Sequence, residues 1–463
     1  MNRKSRSPYA QAGDFRVLHL IFILVACLWF WPAFSTASAP SFDIEKEDKT
    51  DSSGLWDELS EGFECSLRVL AFGTYQDVAD SPQNPDNDFF QIPRYVADAE
   101  LRPDARLNFR RLELSVKPRG KLEWMAWEDG TRKGDDDWDD DWFINEWLAR
   151  IRLTQSLFVS YGRENLQWGP SYLSSPSNPF FADNGRSNPK REVPGMDFAR
   201  LVWLPWTAWT ISLIANLDEG RQEFRFFEFE RSYALKLDYA GQVGYGGLIL
   251  SRKEHDRNRL GAFGGWTATD ALLLYGEGTL SRGTSVLYPQ GANNPFGASM
   301  EAVEDESTSI YGTILVGGSY TLAAGPTIAM EYLYNSPGYT DDQAHAYYRL
   351  RRNAADAYSL AGPIQGLSRL TLSQTADPGL RFLRRNYLMV QYLQNDIKDV
   401  LNLTFRWTHN IDDGSGQFIS IVEYYVGDHT QLFSIGGVNS GSSETEFGTI
   451  LDYYCMIGVE YAF

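Results

Sequence analysis

The chain of 463 residues has only three cysteines and five histidines, and its 42 Lys and Arg are outnumbered by 61 Asp and Glu, for a formal charge of −19. Each scarcity excludes a class. Three cysteines cannot staple a fold of this length, so no dense disulfide framework is expected. The shortage of basic residues disfavours nucleic acid as a partner, because affinity there comes mainly from Lys and Arg neutralising phosphates. No apolar run of about 20 residues occurs after Phe34, which excludes a polytopic helical membrane protein. No P-loop, zinc-ligand spacing or haem motif is found, so no cofactor is expected. Of the histidines beyond the amino-terminal region, His255, His345, His409 and His429, only His409-Asn410 suggests a hydrolase dyad, and no catalytic residues are assigned. Against these absences stands an aromatic content of 14%, high for so acidic a chain.

The amino terminus reads as a secretory signal over residues 1–37. Arg3, Lys4, Arg6 and Arg16 precede an apolar stretch from Val17 to Phe34, and the small residues Ser35 to Ala39 follow, with cleavage placed after Ala37. An uncleaved anchor is one alternative. Lipidation at Cys27, within Leu24-Val25-Ala26-Cys27, is another. Residues 38–63 form an acidic segment with a short helix at Leu55 to Leu59, too small for a domain.

From Glu64 to Phe463 segments of about ten residues alternate apolar and polar side chains, separated by Gly, Asp, Asn and Pro. Period two means strand. Leu401, Leu403, Phe405 and Trp407 alternate with Asn402, Thr404, Arg406 and Thr408, for example. A dry sandwich would not tolerate charges on the inner face, whereas a barrel with lipid outside and water inside requires them. Eighteen strands are predicted (16 to 20 by a miscounted hairpin), with 109–117 and 121–128 parted by a turn at Pro118-Arg119-Gly120. The connections alternate long, such as 75–108, 129–144, 164–197 and 335–386, with short. That pattern predicts an all-β transmembrane antiparallel barrel of the outer membrane, 64–463, with long extracellular loops and both termini periplasmic. Aromatic clusters near strand ends, Trp124, Trp127, Trp203, Trp206 and Trp209 among them, suit two interfacial girdles.

Inward positions by the alternation include Arg68, Arg111, Glu113, Arg150, Arg152, Arg200, Glu331 and Arg406, the predicted pore lining. Arginine forks facing carboxylates either pair among themselves or attract an anionic solute or saccharide. The Pro- and aromatic-rich stretch 164–197 suits a constriction or a surface cap. The stretch 335–386, helix-compatible from Asp342 to Leu360, suits a lid or plug. Asp135, Asp136, Asp137, Asp139, Asp140 and Asp141 form an acidic run in an outer loop, a candidate cation site or lipopolysaccharide contact, with a merely solvated run as the plainer reading. Cys65 and Cys455, on the first and last strands, are too far apart in register to bridge, so two free thiols are predicted.

The final strand, in which Val459, Tyr461 and Phe463 share a face, resembles the carboxy-terminal signature of Gram-negative outer-membrane barrels, which implies the barrel assembly machinery as a partner. Glu100-Leu101-Arg102-Pro103-Asp104, Leu112 to Pro118 and Gly162 to Gly169 look like the broad group of outer-membrane porins that includes alginate-export-type barrels. That resemblance implies a channel gated by loops or periplasmic segments, with an arginine-lined lumen selecting acidic polysaccharide, Arg68, Arg111, Arg150 and Arg152 being the features that match in kind; the residues themselves point to a porin for diffusion or export of small polar or anionic solutes or saccharide chains. A plugged barrel that binds polysaccharide or a protein partner is the alternative, and an outer-membrane hydrolase the third.

Overall fold

A computed structural model describes residues 55–181, 183–222, 229–254, 257–291, 299–302, 309–360 and 362–463. The predicted signal segment, Cys27 and residues 38–54 lie outside the described residues. The short helix expected after them is present as α1, Leu55–Glu61.

Among the described residues twenty strands follow: β1 Phe63–Val78, β2 Tyr95–Phe109, β3 Leu112–Ala126, β4 Asp136–Arg152, β5 Leu157–Glu164, β6 Met196–Trp206, β7 Trp209–Asp218, β8 Ser232–Ala240, β9 Gly244–Lys253, β10 Asn258–Thr269, β11 Leu272–Arg282, β12 Leu287–Gln290, β13 Ser299–Ala302, β14 Ile310–Thr321, β15 Thr327–Asn335, β16 Asn386–Ile397, β17 Leu401–Asn410, β18 Gly416–Val426, β19 Thr430–Ser440 and β20 Leu451–Ala462. All but β12 and β13 belong to one antiparallel sheet of eighteen strands, and β1 pairs with β20 to close it. Closure leaves no sheet edge unpaired, which is the condition for strands to stand in lipid. The connections 110–111, 207–208 and 270–271 are tight turns at one end; 165–195, 283–309 and 336–385 are long and lie at the other. The barrel starts and finishes at the tight-turn end.

Period-two alternation sets the two faces. Leu248 and Leu250 are 49% and 53% exposed while Ile249 between them has no exposure at all. Leu201, Leu213, Leu235, Ile314 and Val316 continue the same exposed apolar band on other strands. An apolar exterior of this extent is the signature of a lipid-facing wall. Trp203, Trp206, Trp209, Trp266, Tyr424 and Tyr461 are exposed near the tight-turn end, and Tyr95, Tyr233, Tyr332, Tyr334 and Tyr453 near the other. Trp127 departs from this pattern: it is buried, donates its indole N–H to the Gln91 carbonyl at 2.6 Å and lies under Arg132.

Two compensating differences keep the strand count at eighteen. The sequence pattern places 95–108 in a loop and divides 109–128 at Pro118-Arg119-Gly120, whereas β2 occupies the first region and β3 runs unbroken through the second. Pro103 and Pro118 lie opposite each other, between the pairs Leu101–Gly120 and Ala105–Val116. Neither proline has an N–H to give the ladder. Their carbonyls are taken instead by Arg119 Nη1, at 2.9 and 2.7 Å. One extra residue of β4 is accommodated beside Pro118, since Lys117 faces Glu146 but Pro118 faces Ile144, so a bulge replaces the predicted turn.

The acidic run is also placed differently. Asp136 to Asp141 form the start of β4, paired with Ala126 to Lys121 of β3, rather than an outer loop. Alternate carboxylates of a strand point to opposite faces, so the six cannot converge on one ion. Among the described residues no group of three or more His, Cys, Asp or Glu is arranged to hold a metal. Cys65 and Cys455 are not bridged to each other, as their register requires: Cys455 pairs with Tyr75, ten residues along β1 from Cys65.

Candidate functional site

The connection 165–195 lies inside the barrel, and its bonds to the wall define the site. Its first half is held by two inward carboxylates. Glu331 of β15, wholly buried, accepts the backbone N–H groups of Tyr172 and Leu173 at 2.7 and 2.8 Å and the Tyr275 hydroxyl at 2.7 Å. Glu277 of β11 accepts the Ser171 N–H at 3.3 Å and the Ser177 hydroxyl at 2.7 Å. Glycine is needed where the loop approaches: Gly169 has φ +89°, and a Cβ there would stand 2.5 Å from the Glu277 carboxylate. The loop is shaped locally by Asn178, whose side-chain oxygen accepts from the N–H groups of Phe180 and Phe181. Phe181 then packs with Phe198, Ile214, Ala234 and Ile249 of the wall, with Trp168 and Phe180 beside them.

The second half crosses to the seam. Arg406 of β17 donates to Gln391 at 2.8 Å, to Ser187 Oγ at 3.2 Å and to the Arg186 carbonyl at 3.3 Å. Lys190 reaches Glu423 of β18 at 3.2 Å and Glu460 of β20 at 2.9 Å, while its own carbonyl accepts from Arg102 of β2 at 2.7 Å. Glu192 receives the Arg119 fork, Nε at 2.6 Å and Nη2 at 2.8 Å. Burial alone would raise the pKa of Glu192, but the Arg119 fork, reinforced by the fields of Arg102 and Arg68, outweighs it and holds this carboxyl below its usual range. Thus one connection is fastened to opposite walls of the lumen by charge-assisted bonds, the strong class of hydrogen bond.

The predicted lining residues fall into three groups. Arg68, Glu331 and Arg406 touch or adjoin this loop; Arg68 lies 3.4 Å from Asp104 and 3.7 Å from both Glu192 and Glu460. Glu113, Arg150 and Arg200 are paired along the wall, Glu113 with Arg106 and Arg150 at 2.8 and 2.9 Å, and Arg200 with Glu164 at 2.8 Å. Arg111 and Arg152 stand apart from both groups. Arg111 is in the two-residue turn after β2, with Arg110 at φ 52°, and Arg152 ends β4 beside it; both are exposed at the tight-turn end. The reason is the displaced strand boundary: with β3 beginning at Leu112, the alternation no longer places Arg111 on a wall. Sequence reasoning passed over Arg102, Arg119, Lys190, Glu192 and Glu277. Tyr275-Gly276-Glu277 carried the alternation signal for the last, but nothing local marked the loop residues.

On the long-loop side a cavity of about 230 Å³ lies above the crossing, lined by Ser174, Ser175, Arg259, Thr279, Ser281 and Arg381 among others. A roof covers it. Helix α2, Asp341–Tyr358, and helix α3, Pro363–Ala376, pack together and against the β12–β13 hairpin around Tyr288, Met300, Tyr339, Tyr347 and Tyr348. A capping box between Thr340 and Gln343, with Asp341 and Asp342 in the first turn, starts α2 near the predicted residue.

No family model matches the chain, and no curated protein sequence does. Solved structures do resemble it in fold. The outer membrane protein OprD from Pseudomonas aeruginosa aligns over 87% of this chain and 94% of its own, at 10% identity and a TM-score of 0.51. OccK7 (OpdD) of the same organism aligns over 87% and 98%, at 10% identity and 0.53. OccAB1 from Acinetobacter baumannii aligns over 86% and 96%, at 12% identity and 0.52. At such identities the likeness is one of fold. The resemblance to alginate-export-type barrels gains no support from these neighbours, which bear OprD and Occ names. Two of the three motifs that carried it, in β2 and β3, meet instead at the Pro103–Pro118 crossing, where Arg119 holds Glu192.

Proposed function

We propose that the chain is an outer-membrane diffusion channel for small polar or anionic solutes, saccharide chains included, with the connection 165–195 as its constriction. The carrying observation is a closed barrel with an apolar exterior and an interior of charged and hydroxyl side chains, crossed by one pinned loop. A purely structural barrel has no need of buried carboxylates that each receive two or more donors from a loop in its lumen. In this reading Arg68, Glu113, Arg150, Arg200, Glu331 and Arg406 shape the conduit, the long loops face outward and both termini lie in the periplasm. The fold of the neighbours, one of them named an outer membrane protein, supports that location. Val459 and Tyr461 share one face of β20 and Phe463 follows its last residue, where the barrel assembly machinery would read them, and lipopolysaccharide would border the projecting β3–β4 hairpin. We read the protein as non-enzymatic.

The same pinning favours a second reading, a plugged barrel that binds saccharide or a partner at its roof. Liposome swelling separates the two. Proteoliposomes should swell in pentoses and in small sugar acids faster than empty liposomes. Failure to swell in any solute, with saccharide binding retained, would give the second reading the field.

A further inference from the structure

On the lipid side, the wall from β5 to β9 carries a groove of about 590 Å³, lined mainly by outward side chains from two neighbouring rows of the ladder. Nearer the long loops, Ala199, Ala215, Tyr233 and Arg252 stand side by side on β6, β7, β8 and β9. One row toward the tight turns come Leu201, Leu213, Leu235 and Leu250, all exposed. The depression follows from side-chain size. Tyr161 of β5 pairs with Ala199 on its far side, so two alanines lie between two exposed tyrosines whose backbones, three strand spacings apart, are separated by about 14 Å. That width admits a methylene chain between the rings but not a helix, which measures about 10–12 Å across with its side chains. Arg252 is out of place on such a wall. It is exposed on the face of Leu248 and Leu250, and among the described residues its guanidinium has no hydrogen-bonding or ionic partner. A cation on a lipid face is costly unless it reaches the boundary and meets an anion there. Other cations of this rim have acids opposite them: Arg163 pairs with Asp197 at 2.7 Å, and the Arg231 carbonyl accepts the Glu254 N–H, which sets those two side chains in one row. The ladder partners of Arg252 are Tyr233 and Asn258.

We propose that this groove is a lipid seat: an acyl chain of lipid A, the anchor of lipopolysaccharide, lies over Ala199 and Ala215 among the four leucines, and the Arg252 fork binds a phosphate of its head group. The assignment rests on the outer-membrane reading, which turns the long-loop end, and Arg252 with it, toward the outer leaflet. A guanidinium presents parallel donors that match phosphate oxygens, and the Asn258 amide, across the β9–β10 ladder, adds another. The order of the rows is that of an amphiphile, with cation and amide at the rim and methyl groups below. A second copy of the chain docked here would press its own apolar band on the leucines and leave Arg252 covered without an anion, whereas a phosphorylated lipid meets both rows at once.

Native mass spectrometry of the full chain in detergent, titrated with purified lipid A, counts bound lipid directly. One lipid A per barrel is expected, at a lower concentration than dimyristoyl phosphatidylglycerol requires. Arg252→Gln should weaken that binding about tenfold, the loss of one charge-assisted contact, and Arg252→Lys should weaken it less. Ala215→Leu, which fills the floor without touching the charge, should weaken it as well, while Arg111→Gln at the tight-turn end should not. Each variant is scored only as a folded barrel by its heat-modifiable gel shift. Binding unchanged in both Arg252→Gln and Ala215→Leu overturns the seat. Equal binding of phosphatidylglycerol overturns the assignment to lipopolysaccharide, and a dimer that disappears in Ala215→Leu gives the groove to a second copy. Orientation is read separately: Glu219→Cys, in the connection after β7 of a chain carrying Cys65→Ser and Cys455→Ser, should take a membrane-impermeant maleimide on intact cells. Binding without labelling would sink the outward orientation and spare the seat; labelling without binding would do the reverse.

Discussion

Replacing Glu331 with Ala should unfasten the connection 165–195 without unfolding the barrel. Glu331 accepts two backbone N–H groups from the loop, Tyr172 at 2.7 Å and Leu173 at 2.8 Å. Hydrogen bonds to a charged group contribute about 1.5–3 kcal/mol each, and a buried donor left without a partner costs its desolvation. The two amides together therefore lose about 3–6 kcal/mol of docking free energy, and at about 1.4 kcal/mol per tenfold the open population of this stretch rises about 10²- to 10⁴-fold. Amide hydrogen exchange reads that population directly when opening is local. Exchange at Tyr172 and Leu173 should accelerate by that factor. The Ser171 amide, held by Glu277 at 3.3 Å, should change much less and serves as an internal control. Exchange of Tyr172 and Leu173 within about threefold of the parent protein, in a barrel that still shows its ladder protection, would refute the assignment of Glu331 as the anchor.

Arg119→Met removes the fork on Glu192 and strands the carbonyls of Pro103 and Pro118; breaking one side of so buried a pair costs about 3–5 kcal/mol, and the thermal midpoint for loss of the compact gel band should fall, an unchanged midpoint counting against the staple. Arg150→Gln leaves Glu113 with Arg106 as its remaining partner and should raise the cation-to-anion permeability ratio, whereas Arg111→Gln and Arg152→Gln, at the exposed turns, should leave it unchanged. The reverse ranking would mean that the turns, not the wall, set selectivity. Both Cys65 and Cys455 should alkylate in unfolded, unreduced protein, since about 33 Å of strand separates their register positions. Loss of either signal would show a covalent partner.

The strands were legible because their signal is local. A side chain's face on a strand depends only on parity, so Leu401 to Trp407 or Tyr453 to Phe463 announce inside and outside unaided. The same logic failed where one residue type carries two meanings. Proline most often ends strands, and Pro118 followed by Gly120 reads as a turn; its actual place, opposite a second proline with an arginine satisfying both carbonyls, depends on a residue pair no local window spans. The acidic run misled similarly, since repeated Asp is unusual in strands and its pairing with β3 comes from the long hairpin. The Pro- and aromatic-rich composition of the connection 165–195 left a constriction and a surface cap equally open, and did not show that it is fastened to the barrel wall. Its fastening joins residues 159 and 270 positions apart, as in Tyr172 to Glu331 and Lys190 to Glu460, and separations of that size leave no periodicity to read.

Single-channel recording in planar bilayers tests the central claim most directly. The parent protein should give discrete conductance steps, and Glu331→Ala should give larger or noisier ones, because the loop that narrows the lumen is released. Silence from both proteins, with each shown to be inserted and folded, would contradict the account of a channel constricted by residues 165–195.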